Sequence, residues 1–221
     1  MVPIMTLLPL ECQPLDALLG DGLESGIITR IYGEAGSGKT NFCLQAARQC
    51  VCSKKKVAYI DTEGVSLERI RQICVNCDYK NILHDILFFT PTSFASQEQM
   101  ICDAVAMKGL GLIVIDTITM FYRLNLEEDR EGAIRSFTRQ VTNLQLAARE
   151  KDICVILTEQ VYTNKKGEIK PFTNRDADHM TKTILRFDRK GVGQREATII
   201  KHRSQPEGKK ACFRISAVGL E

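Results

Sequence analysis

No stretch of this 221-residue chain is apolar over the roughly 20 residues needed to cross a bilayer. No basic region precedes the apolar residues of "MVPIMTLLPLEC" either, so neither a membrane span nor a secretory leader is expected. The expected location is the cytoplasm, with no membrane partner. There the nine cysteines, an odd number, read as reduced thiols rather than disulfides. Cys50, Cys52, Cys74 and Cys77 could be drawn around a zinc ion, since "CVNC" has CxxC spacing. Cys50 and Cys52 have CxC spacing at the end of a helix, which favours structural thiols instead. Internal repeats and low-complexity tracts are also missing, and the 44% hydrophobic and 26% charged residues argue against wholesale disorder.

Net charge is small as well, +3, and by itself says nothing about a polyanionic partner. Its distribution says more. Residues 161–221 hold 14 Lys/Arg against 7 Asp/Glu, whereas residues 1–160 hold 16 against 20. A polyanion would meet the C-terminal third. The competing reading is an uneven scatter of solvated charges.

What is present is a regular alternation of strands and helices, read as one α/β domain over residues 1–221. Strands are expected at 27–32, 56–61, 85–90, 111–116 and 152–158. Helices are expected at 39–52, 66–76, 96–108 and 127–150, the last with Ile134, Phe137, Val141, Leu144 and Ala148 along one face. "GLIVID" is apolar throughout, as a strand buried on both faces of a parallel sheet should be. Residues 160–182 are polar and aperiodic, a long loop of the kind that carries function. "TILRFD", "EATIIKH" and "ACFRISA" alternate and read as antiparallel strands at the sheet edge.

"GEAGSGKT" (33–40) fits G-x-x-x-x-G-K-[ST] between a strand and a helix, the context of a P-loop. Gly36 and Gly38 let backbone N–H groups turn inward around phosphate oxygens without Cβ clashes. The positive end of the following helix favours the anion. Gly33, Glu34, Ala35, Gly36, Ser37, Gly38, Lys39, Thr40 and Asn41 form the expected nucleotide-binding set. Lys39 reaches the β- and γ-phosphates, and the Thr40 hydroxyl ligates Mg²⁺. Asp116, closing "LIVID", is the expected Walker B acid on the metal side. ATP and Mg²⁺ are therefore the expected cofactors.

Some P-loop ATPases keep the water-activating carboxylate next to the Walker B acid, but Thr117, Ile118 and Thr119 follow Asp116 here. Others keep it at the end of the strand beside the P-loop strand, a place assigned to "YIDTEG" and thus to Glu63. A solvated residue in the turn after a strand is the alternative.

Taken together, "GEAGSGKT", "AYIDTEGVSLERI", "LIVIDTITMFYR" and "TEQV" resemble, in order and spacing, the RecA-like strand-exchange ATPases of the archaeal and eukaryotic branch. The likeness runs over nearly the whole chain. It implies a RecA-like P-loop NTPase fold, a mostly parallel twisted sheet flanked by helices with antiparallel strands at the C-terminal edge. It also implies that Glu63 polarises water, Arg69 stacks on adenine, and Gln160 senses the γ-phosphate, giving Lys39, Glu63 and Gln160 catalytic roles. Loop two of that family would be residues 161–182, with Lys165, Lys166, Lys170, Arg175 and Lys182 facing DNA. Tyr122 and Arg123 open the equivalent of loop one. His179 resembles a loop-two histidine that reaches a neighbour's γ-phosphate. "SQPEG" resembles the segment that caps a neighbouring subunit's nucleotide, with Pro206 against the base.

These residues start at the ATPase core, without the helix-hairpin-helix domain and Phe-x-x-Ala linker motif of the full-length recombinases. That form is similar to an archaeal recombinase paralogue. The resemblance implies a DNA-repair accessory with weak ATPase, partnered by single-stranded or branched DNA, a full-length archaeal recombinase and a Holliday-junction resolvase, and capable of self-association. The acidic run Glu127–Asp129 in "RLNLEEDREG" argues for weak DNA binding and little strand exchange. A self-sufficient recombinase and a KaiC-like signalling ATPase are the alternatives.

Overall fold

The apolar runs line up side by side in one sheet of nine strands. A computed structural model describes residues 6–74, 77–164, 167–172 and 175–221. Strands β1 (Leu7–Leu8) and β2 (Leu23–Glu24) pair around helix α1 (Gln13–Leu19). The P-loop strand β3 (Ile28–Gly33) leads into α2 (Lys39–Cys52), and β4 (Lys56–Asp61) into α3 (Leu67–Ile73) and α4 (Tyr79–Asp85). Next come β5 (Ile86–Phe89), α5 (Phe94–Ala106), β6 (Leu110–Asp116), α6 (Thr119–Glu128), α7 (Arg130–Lys151) and β7 (Cys154–Glu159). The last third holds β8 (Val161–Thr163), β9 (Ile169–Pro171), α8 (Arg175–Met180), β10 (Thr183–Arg189), β11 (Gln194–Lys201), β12 (Lys210–Ser216) and β13 (Gly219–Leu220).

The sheet order is β13-β12-β11-β10-β3-β7-β6-β4-β5. The six strands from β10 to β5 are parallel, and β11, β12 and β13 are antiparallel. Two expectations are corrected by this order. The first alternating strand, β10, runs parallel to β3 on one side and antiparallel to β11 on the other. The chain after β7 crosses back to the start of the sheet before entering β10, so a parallel pairing follows. Strand β4 is also not beside the P-loop strand. β7 and β6 lie between them, and Glu63 approaches from the far side of β6.

Both sheet faces are buried, and the strand period of two divides the core cleanly. Val57 and Tyr59 of β4, with Leu112 and Val114 of β6, pack under α2, α3 and α4. Ala58, Ile60, Ile113 and Ile115 pack under α5 and α7 on the opposite face. The long helix buries Ala133, Phe137, Val141, Leu144 and Ala148, so Ala133 takes the inward place expected for half-buried Ile134. Its start is fixed by Asp129, whose side chain accepts from the Gly132 N–H at 3.0 Å.

The two expected loops contain structure. Where loop one was expected, α6 forms, because Tyr122 turns inward and stacks on Phe137 with ring centroids 4.3 Å apart. Tyr122 is thereby buried and unavailable to DNA. Residues 160–182 hold the β8–β9 hairpin and α8 rather than an unstructured loop. Lys165 and Lys166 lie outside the described residues, and Arg175 is described only as the first residue of α8.

Candidate functional site

The carboxyl ends of the parallel strands collect the chemistry, as the crevice above an α/β sheet usually does. Gly33 closes β3 in register with Phe187 of β10, and a Cβ there would overlap the Phe187 carbonyl. Gly36 and Gly38 hold φ of 72° and 104°, the left-handed region that favours glycine. This bend places the N-terminus of α2 over the loop's hollow. The Ser37 hydroxyl is fully buried there without a hydrogen-bond partner among the described residues. An orphan hydroxyl beside a glycine cradle at a helix N-terminus suits phosphate oxygens.

The Lys39 ammonium donates to the Gly33 and Glu34 carbonyls at 2.7 and 3.1 Å. Burial pulls its pKa below the ordinary value, and the carboxylates of Asp116 and Glu63 oppose that shift. Thr40, at the start of α2, is half-buried. Asp116 is buried at the end of β6 and accepts from Tyr59 Oη at 2.9 Å and Thr158 Oγ1 at 2.5 Å. Burial and the Asp116 carboxylate raise the Tyr59 phenol well above its usual range, so it stays a donor. One hydrogen bond on each carboxylate oxygen fixes the acid while leaving lone pairs on both oxygens.

The two acids that close β4 have different tasks. Asp61 accepts from the N–H groups of Glu63, Gly64 and Val65 at 3.2, 2.8 and 2.6 Å, which ties down the turn. Glu63 is left exposed, and its Oε1 accepts from Gln160 Nε2 at 2.6 Å. Gln160 Oε1 in turn accepts from Arg123 Nη1 at 2.5 Å. The Arg123 guanidinium sits 4.3 Å over the Phe172 ring, and Phe172 packs on Tyr162 at 4.7 Å. One chain of contacts therefore runs from Glu63 through Gln160 and Arg123 to the aromatic pair on the β8–β9 hairpin. Beside it, Met120, Leu124, Leu126 and Phe172 line a cleft of about 510 Å³.

Arg69 joins the site from α3, bonding Asn41 Oδ1 at 2.5 Å and the Ser216 carbonyl at 2.9 Å. The remaining expected residues are spread more widely. Lys170 pairs with Glu168 at 3.4 Å beside a second cleft shared with Glu34, Arg186 and Arg189. His179 is exposed on α8. Lys182 precedes β10 and Pro206 lies in the turn between β11 and β12, so both stand at the opposite end of the sheet from the P-loop. Lys182 there faces Arg149 and Arg203 rather than Arg123. Pro206 cannot reach this chain's own P-loop.

Several residues were not legible as site residues. Tyr59 and Thr158 hold Asp116, and Arg195 Nε donates to the Gly36 carbonyl at 2.9 Å from β11. Arg30 is fully buried inside β3, bidentate to Glu159 at 2.9 Å and bonded to Asp178 of α8 at 2.6 Å. Its signal was available. An arginine inside the apolar run "ITRIY" needs a buried counter-charge, and "ILTEQ" holds one.

The Rad51 family profile matches residues 4–221. The DNA repair and recombination protein RadB of Methanococcoides burtonii is 42% identical over 216 residues, 95% of each chain. That of Archaeoglobus fulgidus is 38% identical over 221 residues, 97% of this chain and 98% of its own. That of Thermoplasma acidophilum is 40% identical over 211 residues, 93% and 90% of the two chains. A crystal structure of the RadB recombinase superposes with a TM-score of 0.87 at 36% identity, covering 97% of this chain and 99% of its own.

Proposed function

This chain belongs to the Rad51 family, and on that premise we propose that it is an ATP-binding accessory of DNA repair and homologous recombination. In this reading it is a recombinase paralogue that hydrolyses ATP weakly, binds single-stranded or branched DNA, and modulates recombination without efficient strand exchange of its own. The names of its relatives support the process. The Glu63–Gln160–Arg123–Phe172 chain of contacts is the observation that carries the coupling of nucleotide to DNA.

The residues fit a nucleotide with its metal. Backbone N–H groups of 36–40 and the Ser37 hydroxyl would bind phosphate oxygens, and Lys39 would turn from its own loop's carbonyls to the γ-phosphate. Thr40 and Asp116 would hold Mg²⁺, which when bound neutralises charge developing on the phosphates. Glu63 would accept the proton of the attacking water. Gln160 occupies one Glu63 oxygen, so hydrolysis is slow until Gln160 turns away toward the γ-phosphate. Arg123 would then be free to meet a DNA phosphate, while Phe172 and Tyr162 offer faces to bases. Pro206 would cap the base only in a neighbouring subunit, either a second copy or a full-length archaeal recombinase. A Holliday-junction resolvase is a further partner in this reading.

The test is a titration of labelled single-stranded and branched DNA at two salt concentrations, with ATP turnover measured alongside. Salt-sensitive binding and DNA-stimulated turnover are expected. Absence of binding at both salts would favour a signalling ATPase. Efficient pairing of a single strand with homologous duplex in ATP and Mg²⁺ would overturn the accessory role.

A further inference from the structure

We propose that Cys52 and Cys77 form a thiol–disulfide exchange site, which low-molecular-weight disulfides oxidise to an intrachain disulfide bracketing residues 53–76. Cys52 is the last residue of α2 and is exposed, while Cys77 lies half-buried between α3 and α4. Their Sγ atoms are 3.9 Å apart. A disulfide needs that gap closed to about 2.05 Å.

The zinc site drawn from the cysteine spacing does not assemble. Cys50 is buried and turns its Sγ toward the Lys56 carbonyl at 3.8 Å. Among the described residues no three His, Cys, Asp or Glu side chains converge on a metal position. A separation of 3.9 Å also matches the S–S edge of a tetrahedral thiolate site, about 3.8 Å for Zn–S of 2.3 Å. Two thiols leave such an ion half-coordinated, whereas two thiols complete a disulfide by themselves.

The surroundings hold the Cys52 thiol above its ordinary value on balance, with one cation working the other way. Arg48, one turn before Cys52, is held by the Ile73 carbonyl at 2.9 Å and Glu11 at 2.7 Å. Its Nε is buried without a hydrogen-bond acceptor among the described residues. Burial and the Cys77 sulfur raise the Cys52 thiol, while the Arg48 charge opposes them and Glu11 adds to them. Cys74 is buried beside the pair and feels the same arginine.

Cys52, the exposed member, attacks one sulfur of the external disulfide as its thiolate. That S–S bond breaks, one thiolate leaves, and a mixed disulfide forms on Cys52. The Cys77 thiolate then attacks the Cys52 sulfur and expels the second thiolate. The external disulfide gains two electrons and two protons and departs as two thiols. The new bond ties the end of the P-loop helix to the chain just beyond α3, enclosing β4, Glu63 and Arg69.

The experiment treats the reduced full chain with oxidised glutathione, alkylates the remaining thiols, and reads intact mass and peptide maps. A species two hydrogens lighter with a Cys52–Cys77 cross-linked peptide is expected. Its Tm should stand on the order of 5–10 °C above that of the reduced chain. Cys77→Ser, or Cys77→Ala if the serine variant misfolds, should trap one glutathione on Cys52 that the native chain does not accumulate. Stable glutathione on Cys52 of the native chain would overturn the proposal. So would bridges through the exposed Cys102 or Cys212, an unreactive Cys52, or one equivalent of zinc in the protein as purified.

Discussion

Gln160 reaches across β6 to Glu63, its Nε2 2.6 Å from the carboxylate oxygen. The two residues leave β7 and β4, which flank β6, so the bond spans the C-terminal end of the strand that carries Asp116. A carboxylate held there by an amide is positioned by a neutral donor.

Replacing that carboxylate separates binding from turnover. Glu63→Gln should keep nucleotide affinity within about twofold and reduce hydrolysis by roughly 10²–10⁴-fold, the span of a lost general base. Lys39→Ala should abolish binding of a fluorescent ATP analogue. Parental turnover in Glu63→Gln would remove Glu63 from the catalytic role.

Tyr59→Phe tests the support of Asp116. The phenol is fully buried, and deleting its hydroxyl leaves one Asp116 oxygen without that donor. The expected loss is about 1–2 kcal/mol, read as a fall in Tm of about 3–6 °C. Mg²⁺ dependence of nucleotide binding should shift to higher concentration in the same variant.

The two ends of the sheet should differ toward DNA. Arg123→Ala should weaken single-strand binding several-fold and lower the salt slope by about one. Lys182→Ala, at the other end beside Arg149 and Arg203, should change affinity less. Equal losses in fluorescence anisotropy would mean that the strand runs over both ends.

His202 makes the turn before β12 sensitive to acid. Its Nδ1 accepts from the N–H groups of Ser204 and Gln205 at 3.1 and 3.2 Å. Burial lowers its pKa below the ordinary 6.5, with Arg203 and Lys209 reinforcing and Glu24 opposing the shift. The unfolded chain therefore binds a proton more readily than the folded one. The contribution is complete above 6.5 and is lost as pH falls through the folded value. His202→Asn keeps an acceptor without the titration, so its Tm should fall less than the parent's from about pH 7 to about pH 5.

Much of this was legible in the residues. α2 and β4 have the bounds that periodicity and the phosphate loop assign, because a Gly-rich turn and an apolar run leave little choice there. The mostly parallel sheet follows from strands apolar on both faces, and its RecA-like form from the resemblance that the motifs carry. Strand order was not legible, since β4 beside β6 and β10 beside β3 are decided by crossovers that leave no local pattern. The β8–β9 hairpin was not legible because its strands are only three residues long, too short to set up an alternating pattern. α6 hid in an acidic stretch whose decisive contact, Tyr122 on Phe137, is tertiary.

The buried Arg30 has a consequence for the segment above it. Glu159 occupies the guanidinium through two bonds, while Asp178 is half-exposed and adds a third. If α8 lifts away, a neutral Arg30–Glu159 pair stays in the core and no bare charge is uncovered. The released carboxylate meets water at once. Helix α8 is thus seated like a hatch on a frame that remains electrically balanced when the hatch is open.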